Sequence, residues 1–238
     1  MGGHATPLAR ATLERVRVVS LVPSATESLV ALGVEPIAVT RFCDRPGTPT
    51  VGGTKDPDIA AIAELEPDLV VCCVEENRRE DADALTALGL DIHAIDIRTV
   101  DDVRPAMAAL ADAVGAAAPR VRLPPQAPVR RRAFIPIWRR PWMSMAGDTY
   151  GSSVLAHLGV ANVLAGADDR YPTVSLDDLA ALRPDLVIAP DEPYPFGPRH
   201  EAELASVAPV RFVDGRDLFW WGTRTPKALE RLATALAP

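Results

Sequence analysis

Aromatic residues make up only 5% of this 238-residue chain, yet most of them gather in a few short segments. All four tryptophans and two of the three tyrosines lie at 137–143, 170–172, 192–196 and 219–222, and the first three of these segments also carry charged residues and proline. Rings left exposed without a ligand or partner would be apolar area that monomeric proteins usually avoid. A cleft walled by such rings suits a large flat ligand, and Arg139 can meet polar groups on its edge.

Catalysis and metal binding have weaker support in the sequence. Cys43 lies beside Asp44 in an expected loop, but no histidine lies close to it in sequence to activate the thiol. An enzyme that uses Cys43, Glu75 and His200 in the same cleft is one alternative, and a receptor for a bare metal ion is another. Because no ligand spacing supports a metal site and no phosphate-loop pattern is present, we assign no catalytic residue, metal ligand or nucleotide cofactor.

Composition and charge exclude other classes of protein. A net charge of −7 argues against nucleic-acid binding. No apolar run approaches the roughly 18–20 residues that a spanning helix needs, so we expect no membrane insertion. We also expect a monomer. Residues 1–17 carry four charged side chains in place of the apolar centre of a secretory signal. This predicts a cytoplasmic location, with a periplasmic or extracellular one if a leader has been lost.

The chain contains an internal echo that predicts a duplicated fold. Residues 62–71 read Ile-Ala-Glu-Leu-Glu-Pro-Asp-Leu-Val-Val, and residues 179–188 read Leu-Ala-Ala-Leu-Arg-Pro-Asp-Leu-Val-Ile. Leu-Gly-Val ends a helical pattern upstream of each copy, at 32–34 and 158–160. Short links between alternating strands and helices predict an α/β protein of two Rossmann-like lobes with mainly parallel sheets, joined by a single connecting helix.

Four segments follow from this plan. We expect a disordered or frayed N-terminus over 1–16, an N-terminal lobe over 17–98, a connecting helix with a Pro/Arg-rich linker over 99–131, and a C-terminal lobe over 132–238. The predicted strands are 17–22, 37–40, 69–73, 92–96, 133–138, 162–164, 186–189 and 210–213. The predicted helices are 25–32, 59–65, 79–88, 100–117, 149–158, 176–182, 201–207 and 226–236, the first of them with Ser24 and Glu27 at the spacing of a capping box.

Ligands of open parallel sheets bind beyond the carboxyl ends of the strands. The segments that follow the predicted strands therefore supply the expected binding residues. These are Pro23, Ser24, Ala25, Thr26, Phe42, Cys43, Thr54, Glu75, Asn77, Trp138, Arg139, Trp142, Tyr171, Glu192, Tyr194, Trp220 and Trp221.

Several motifs together resemble the class III periplasmic binding proteins, also called the helical backbone metal receptors, and within them the cobalamin-binding proteins. They include Val-Ser-Leu-Val-Pro-Ser-Ala-Thr-Glu at 19–27, Val-Gly-Gly at 51–53 and Gly-Asp-Thr at 147–149. Cys43-Asp44 and the tryptophan-containing segments complete the set, which extends over most of the chain from Arg17 to Ala235.

The resemblance implies a non-catalytic protein that holds cobalamin, another corrinoid or a similar metal chelate between two lobes. It implies that Tyr171 forms an aromatic wall on the second lobe and that residues 23–26 form the floor of the first. An ABC permease is the implied partner, docked through one acidic residue on each lobe. By position these are Glu80 and Asp177. The short connecting helix and the missing leader depart from the family's pattern.

Overall fold

A computed structural model describes residues 16–237 of the chain. Of the segment 1–16 that we expected to be disordered or frayed, residues 1–15 lie outside the described residues. The eight strands are β1 (Val18–Ser20), β2 (Ala38–Val39), β3 (Leu69–Cys73), β4 (Ile92–Ile95), β5 (Arg131–Phe134), β6 (Val160–Asn162), β7 (Leu186–Pro190) and β8 (Val210–Val213). The α-helices of the same region are α1 (Pro23–Ala31), α2 (Ile59–Glu64), α3 (Arg79–Ala87), α4 (Val103–Ala113), α5 (Tyr150–His157), α6 (Leu176–Ala181), α7 (Glu201–Leu204), α8 (Gly215–Phe219) and α9 (Thr225–Ala235).

The strands form two parallel sheets with the same topology. The first has the order β2-β1-β3-β4, and the second has the order β6-β5-β7-β8. Every pairing of neighbouring strands in both sheets is parallel. This confirms the predicted α/β fold of two Rossmann-like lobes. The identical strand order also matches the repeat that we found in the sequence.

The repeated sequence performs the same structural task in both lobes. Asp68 accepts a hydrogen bond of 2.7 Å from the main-chain N–H of Arg17, just before β1. Asp185 accepts the equivalent bond, also 2.7 Å, from the main-chain N–H of Arg132 in β5. The Pro-Asp pair of each repeat therefore ties the start of one strand to its neighbour, which fixes the register of the sheet.

Equivalent side chains also begin the repeated helices. Asp58 accepts a hydrogen bond of 3.0 Å from the main-chain N–H of Ala61 and caps α2. Ser175 accepts one of 3.1 Å from the N–H of Asp178 and caps α6. Such caps satisfy main-chain donors that have no partner within the helix.

Replacing Asp58 with alanine is expected to lower the free energy of unfolding by about 1 kcal/mol, because one orphan N–H of α2 loses its acceptor. Urea denaturation measures the difference. The matched variant Ser175→Ala should give a loss of similar size from the other lobe. No loss in either variant would contradict the assigned capping roles.

A shared hydrophobic core joins the two lobes. One cluster of buried side chains runs from β1, α1 and β3 through α4 into β5, α5 and α9, and it includes Leu29, Met107, Ile135 and Leu232. Each sheet also has one smaller cluster of buried side chains on its outer face. The lobes are therefore packed against each other as well as connected by the chain.

Several details of the sequence prediction are wrong; β5, for example, spans Arg131–Phe134 and not residues 133–138. Val22, and not Ser24, occupies the cap position of α1, because the helix begins two residues early at Pro23. The connecting helix ends at Ala113 and not near residue 117. Gly115, just beyond that end, has a φ of +66°. The short helix α8 was not predicted, because five residues beginning with glycine carry no helical period. Within residues 16–237, no helix is both long and apolar enough to cross a membrane.

Candidate functional site

A large cleft of about 830 Å³ opens between the two lobes. Its walls come from segments that follow strands at their carboxyl ends in both sheets, where parallel sheets bind ligands. The volume lies within the range of small-molecule sites. The lining residues are Pro23, Phe42, Thr54, Lys55, Cys73, Glu75 and Glu76 from the N-terminal lobe, and Ile137, Met145, Thr149, Tyr150, Gly151, Tyr171, Glu192, Pro193, Phe219, Trp220 and Trp221 from the C-terminal lobe.

Aromatic rings from both lobes line this cleft. Phe42 is 55% exposed on the N-terminal lobe, whereas Trp221 is only 3% exposed and belongs to the core shared by the lobes. Tyr171, Phe219 and Trp220 are partly exposed between these extremes. The mixture of accessible and deeply set rings offers a flat ligand a broad apolar surface.

Two glutamates and a lysine form the polar part of the N-terminal wall. The Lys55 ammonium donates a hydrogen bond of 2.9 Å to the main-chain oxygen of Glu75. Burial raises the pKa of Glu75, and the nearby Arg170 opposes that rise. Burial and the charge of Glu75 raise the pKa of Glu76 to about 7, against a smaller opposing effect of Lys55. The wall therefore changes its charge close to neutral pH.

Glu76 is expected to make the protein less stable as the pH rises from 4.5 to 7. In that interval the folded state binds a proton that the unfolded state has lost, so the free energy of unfolding falls as pH rises and is flat above pH 7. In Glu76→Gln this contribution, about 1–2 kcal/mol after allowance for partial exposure, should vanish. The measurement is urea denaturation of both proteins at pH 5 and pH 8. An equal pH dependence in the two proteins would contradict the raised pKa.

Arginines of the C-terminal lobe pair with carboxylates across the mouth of the cleft. The Arg170 guanidinium lies 3.1 Å from an oxygen of Glu75. The Arg216 guanidinium lies 3.7 Å from Asp44, in the segment after β2. Each of these arginines also lies over an aromatic ring of its own lobe, Tyr171 or Trp220. The cleft is thus bordered on the C-terminal side by paired, and not free, cations.

Known proteins are similar to this chain in sequence and in fold. The vitamin B12-binding protein of Vibrio cholerae serotype O1 is 24% identical over 237 residues, which cover 90% of this chain and 85% of that protein. The crystal structure of the periplasmic vitamin B12-binding protein BtuF of Vibrio cholerae superposes with a TM-score of 0.77 at 21% identity, over 93% of this chain and 96% of that one. The periplasmic heme-binding protein BhuT in complex with two hemes gives a TM-score of 0.75 at 21% identity, over 93% and 97%.

No model of a known protein family matches the sequence. The chain shares the two-lobed α/β fold of these periplasmic binding proteins.

The likeness to periplasmic binding proteins corrects the predicted location. The cytoplasmic assignment is wrong, because the structural relatives are periplasmic binding proteins. It rested on the composition of residues 1–17, from which a location does not follow.

The cleft between the lobes brings together about half of the expected binding residues. Eight of them line it, three on the N-terminal lobe near its floor, one on the glutamate wall and four on the C-terminal lobe. They are Pro23, Phe42, Thr54, Glu75, Tyr171, Glu192, Trp220 and Trp221. Their contact with a ligand remains a prediction.

Four expected residues of the N-terminal lobe are turned into the protein. Ser24 and Ala25 are buried in α1, and the Thr26 hydroxyl donates to the main-chain oxygen of Val22 and to the Sγ of Cys43. The amide of Asn77 accepts from the N–H of Cys73 at 2.8 Å and donates to the oxygen of Thr54 at 2.9 Å. Its hydrogen-bonding groups thus hold the loop after β3 and are not directed at the cleft.

Cys43 also lies outside the cleft lining. Its thiol is shared between two threonine hydroxyls, that of Thr26 at 3.1 Å and that of Thr40 at 3.3 Å. The side chain therefore helps to fix the turn after β2 against α1.

Four expected residues of the C-terminal lobe form a separate aromatic cluster. Trp138 meets Tyr194 edge-on, with ring centroids 5.5 Å apart, and Trp142 stacks on Phe196 at 5.9 Å. Arg139 lies over the Trp142 ring and pairs with Glu203 at 2.9 Å. Trp142 and Tyr194 pack on the outer face of the second sheet, so our expectation that all four tryptophans share one mouth is wrong.

His200 belongs to the same cluster and not to the cleft. Its ring meets those of Tyr194 and Phe196 at 5.6 and 5.4 Å, and its Nδ1 accepts a hydrogen bond from the N–H of Gly197. Burial lowers its pKa. The structure therefore separates His200 from Cys43 and Glu75. Among residues 16–237, no three histidine, cysteine or acidic side chains come together as a metal site.

Several lining residues that were missed lie next to residues that were predicted. Lys55 and Glu76 directly follow the predicted residues Thr54 and Glu75, and Phe219 precedes Trp220, so each shares a segment with a correct prediction. Met145 and Gly151 carry no polar or aromatic signal. Only the three-dimensional packing of α5 and of the loop before it brings them to the cleft.

Proposed function

We propose that this chain is a class III periplasmic binding protein and binds a flat metal chelate, with cobalamin as the first candidate, in the cleft between its lobes. The observation that carries the proposal is the aromatic lining, with Phe42 from one lobe and Tyr171, Trp220 and Trp221 from the other. Relatives named as vitamin B12-binding and heme-binding proteins support a ligand of this kind. The chain acts as a monomer and does not transform the ligand.

The charges in the cleft favour a corrinoid over haem. Three acidic side chains, those of Glu75, Glu76 and Glu192, line it together with the ammonium of Lys55. Two of them pair at the border of the cleft, Glu75 with Arg170 and Glu192 with Arg216, so neither guanidinium is free to bind the propionates of haem. Carboxylate oxygens can also accept hydrogen bonds from the amide groups of cobalamin.

Isothermal titration with cyanocobalamin and with haemin tests both parts of the proposal. We expect cyanocobalamin to bind at micromolar concentration or below, at least about tenfold more tightly than haemin, which corresponds to 1.4 kcal/mol. The reverse order would contradict the choice of a corrinoid. Failure of both compounds to bind would contradict the proposed function itself.

The two alternatives receive less support from the geometry. An enzyme built on Cys43, Glu75 and His200 would need these groups together, whereas Cys43 is engaged by hydroxyls of the N-terminal lobe and His200 by rings of the C-terminal lobe. A bare-metal receptor would need a cluster of ligands, and none is formed by the described part of the chain.

Permease docking through Glu80 and Asp177 completes the proposal. Both carboxylates are exposed in the first turns of helices on different lobes, α3 and α6. They do not occupy equivalent positions in the repeat, because α6 corresponds to α2. Alanine at either position should weaken co-purification with a reconstituted ABC importer of the same organism and leave ligand affinity unchanged. Undiminished co-purification would contradict the assignment.

A further inference from the structure

Trp220 lies at the centre of a charge network on the C-terminal side of the cleft. Its indole N–H donates a hydrogen bond of 3.2 Å to Glu192, whose other oxygen accepts from Arg216 at 3.3 Å. The Arg216 guanidinium lies 4.9 Å from the centroid of the Trp220 ring, and that of Arg224 lies 5.3 Å from it. Both distances are within the range of cation–π contacts.

The same two arginines reach the N-terminal lobe. Arg216 lies 3.7 Å from Asp44, and Arg224 lies 3.4 Å from Glu27 in α1. Arg224 also pairs with the buried carboxylate of Asp217 at 3.1 Å, which holds its guanidinium within its own lobe. Trp220 therefore contacts two guanidinium groups, and carboxylates from both lobes hold those groups in place.

Neither arginine lines the ligand cleft. Arg216, Arg224, Asp44 and Glu27 border a second, smaller cavity of about 210 Å³, and Trp220 lines both cavities. The indole ring thus separates the ligand cleft from this side cavity. Without the arginines, one side of the ring would face open space and its rotamer would be free to change.

We propose that Arg216 and Arg224 are positioning residues that fix the plane of Trp220 for the ligand, and that Asp44 on the opposite lobe holds Arg216 in place. The inference rests on the proposed function, because it assumes that Trp220 contacts the chelate. A ring that is set before the ligand arrives loses less conformational freedom on binding. The planar, delocalised guanidinium is suited to stacking and pairing at once, which an ammonium group is not.

Replacing Arg216 with glutamine should weaken cyanocobalamin binding by about three- to tenfold, mainly through faster dissociation, because Trp220 must then be ordered on binding. Arg216→Lys should recover little of the loss, since it retains the charge without the planar group. Asp44→Asn should cause a smaller loss in the same direction. Titration calorimetry gives the affinities, and stopped-flow fluorescence gives the dissociation rates.

Arg139→Gln is the matched control. Arg139 also pairs with a glutamate and lies over a tryptophan, at 5.8 Å from the Trp142 ring, but it does not line the cleft. Its loss should leave the affinity unchanged. An affinity loss in Arg139→Gln equal to that in Arg216→Gln, or no loss in Arg216→Gln, would overturn the inference.

Acrylamide quenching tests the position of Trp220 without any ligand. In a Trp138→Phe/Trp142→Phe background, the buried Trp221 is shielded, so quenching reports mainly on Trp220. Adding Arg216→Gln should increase the quenching, and an unchanged value would overturn the inference. If the unmodified protein does not bind cyanocobalamin, the proposed function fails, and this measurement still decides whether Arg216 positions the ring.

Discussion

Alanine in place of Trp220 is expected to weaken cyanocobalamin binding by about 30- to 1,000-fold, since a central aromatic at a binding site contributes about 2–4 kcal/mol. The ring lines the cleft, and its N–H is held by Glu192 at 3.2 Å. Trp220→Phe, which keeps an aromatic surface but loses this hydrogen bond, should retain more of the affinity. Titration calorimetry with all three proteins gives the comparison.

Trp138→Ala is the control for this prediction, and it separates the sequence-based expectation from the structure. The sequence alone assigned Trp138 and Trp220 to the same mouth, whereas the structure places Trp138, which is 44% exposed, against Tyr194 outside the cleft lining. Its removal should leave the affinity unchanged. Equal losses in the two alanine variants would favour the sequence-based arrangement over the structure.

Gly222→Ala is expected to lower the free energy of unfolding by about 2–5 kcal/mol, from backbone strain and overpacking together. The residue has a φ of +114°, and a Cβ there would overlap the Ser28 hydroxyl of α1 and lie 3.5 Å from the Met107 sulfur of α4. Because Gly222 belongs to the C-terminal lobe, the substitution would push the lobes apart at their shared core. Urea denaturation measures the loss.

Gly89→Ala isolates the backbone contribution. Gly89 has a φ of +83°, but a Cβ at this position would meet nothing within 4 Å. Its loss should therefore be limited to about 1–2 kcal/mol, the cost of a left-handed conformation. Losses of the same size at positions 89 and 222 would show that Gly222 is not needed for the close approach of the lobes.

The sequence predicted the order of the elements because their patterns are local. The apolar run at β3, Leu69–Cys73, is bounded by a Pro-Asp pair and a polar loop, and both of its bounds were predicted correctly. The repeated strand β7, Leu186–Pro190, also follows a Pro-Asp pair, and its start was predicted correctly, whereas its end lies one residue beyond the prediction. Since the carboxyl ends of parallel strands meet at one edge, this pattern also placed Glu75 and Glu192 correctly at the cleft.

The direction of the aromatic side chains could not be predicted in the same way. Trp142 follows β5 as Trp220 follows β8, and both segments lie at the expected edge of the sheet. Trp142 instead stacks on Phe196 and packs against the outer layer of side chains, which is set by α6 and α7. That choice depends on neighbours more than thirty residues away in sequence, so no local pattern records it.

The core that runs through both lobes limits how the proposed binding protein could signal that a ligand is bound. Hinge closure rotates whole domains, and here such a rotation would disrupt the buried cluster that includes Leu29, Met107 and Leu232. A partner able to distinguish the ligand-bound state from the free state would therefore have to contact the rim of the cleft, where a bound ligand or the loops around it would present a different surface.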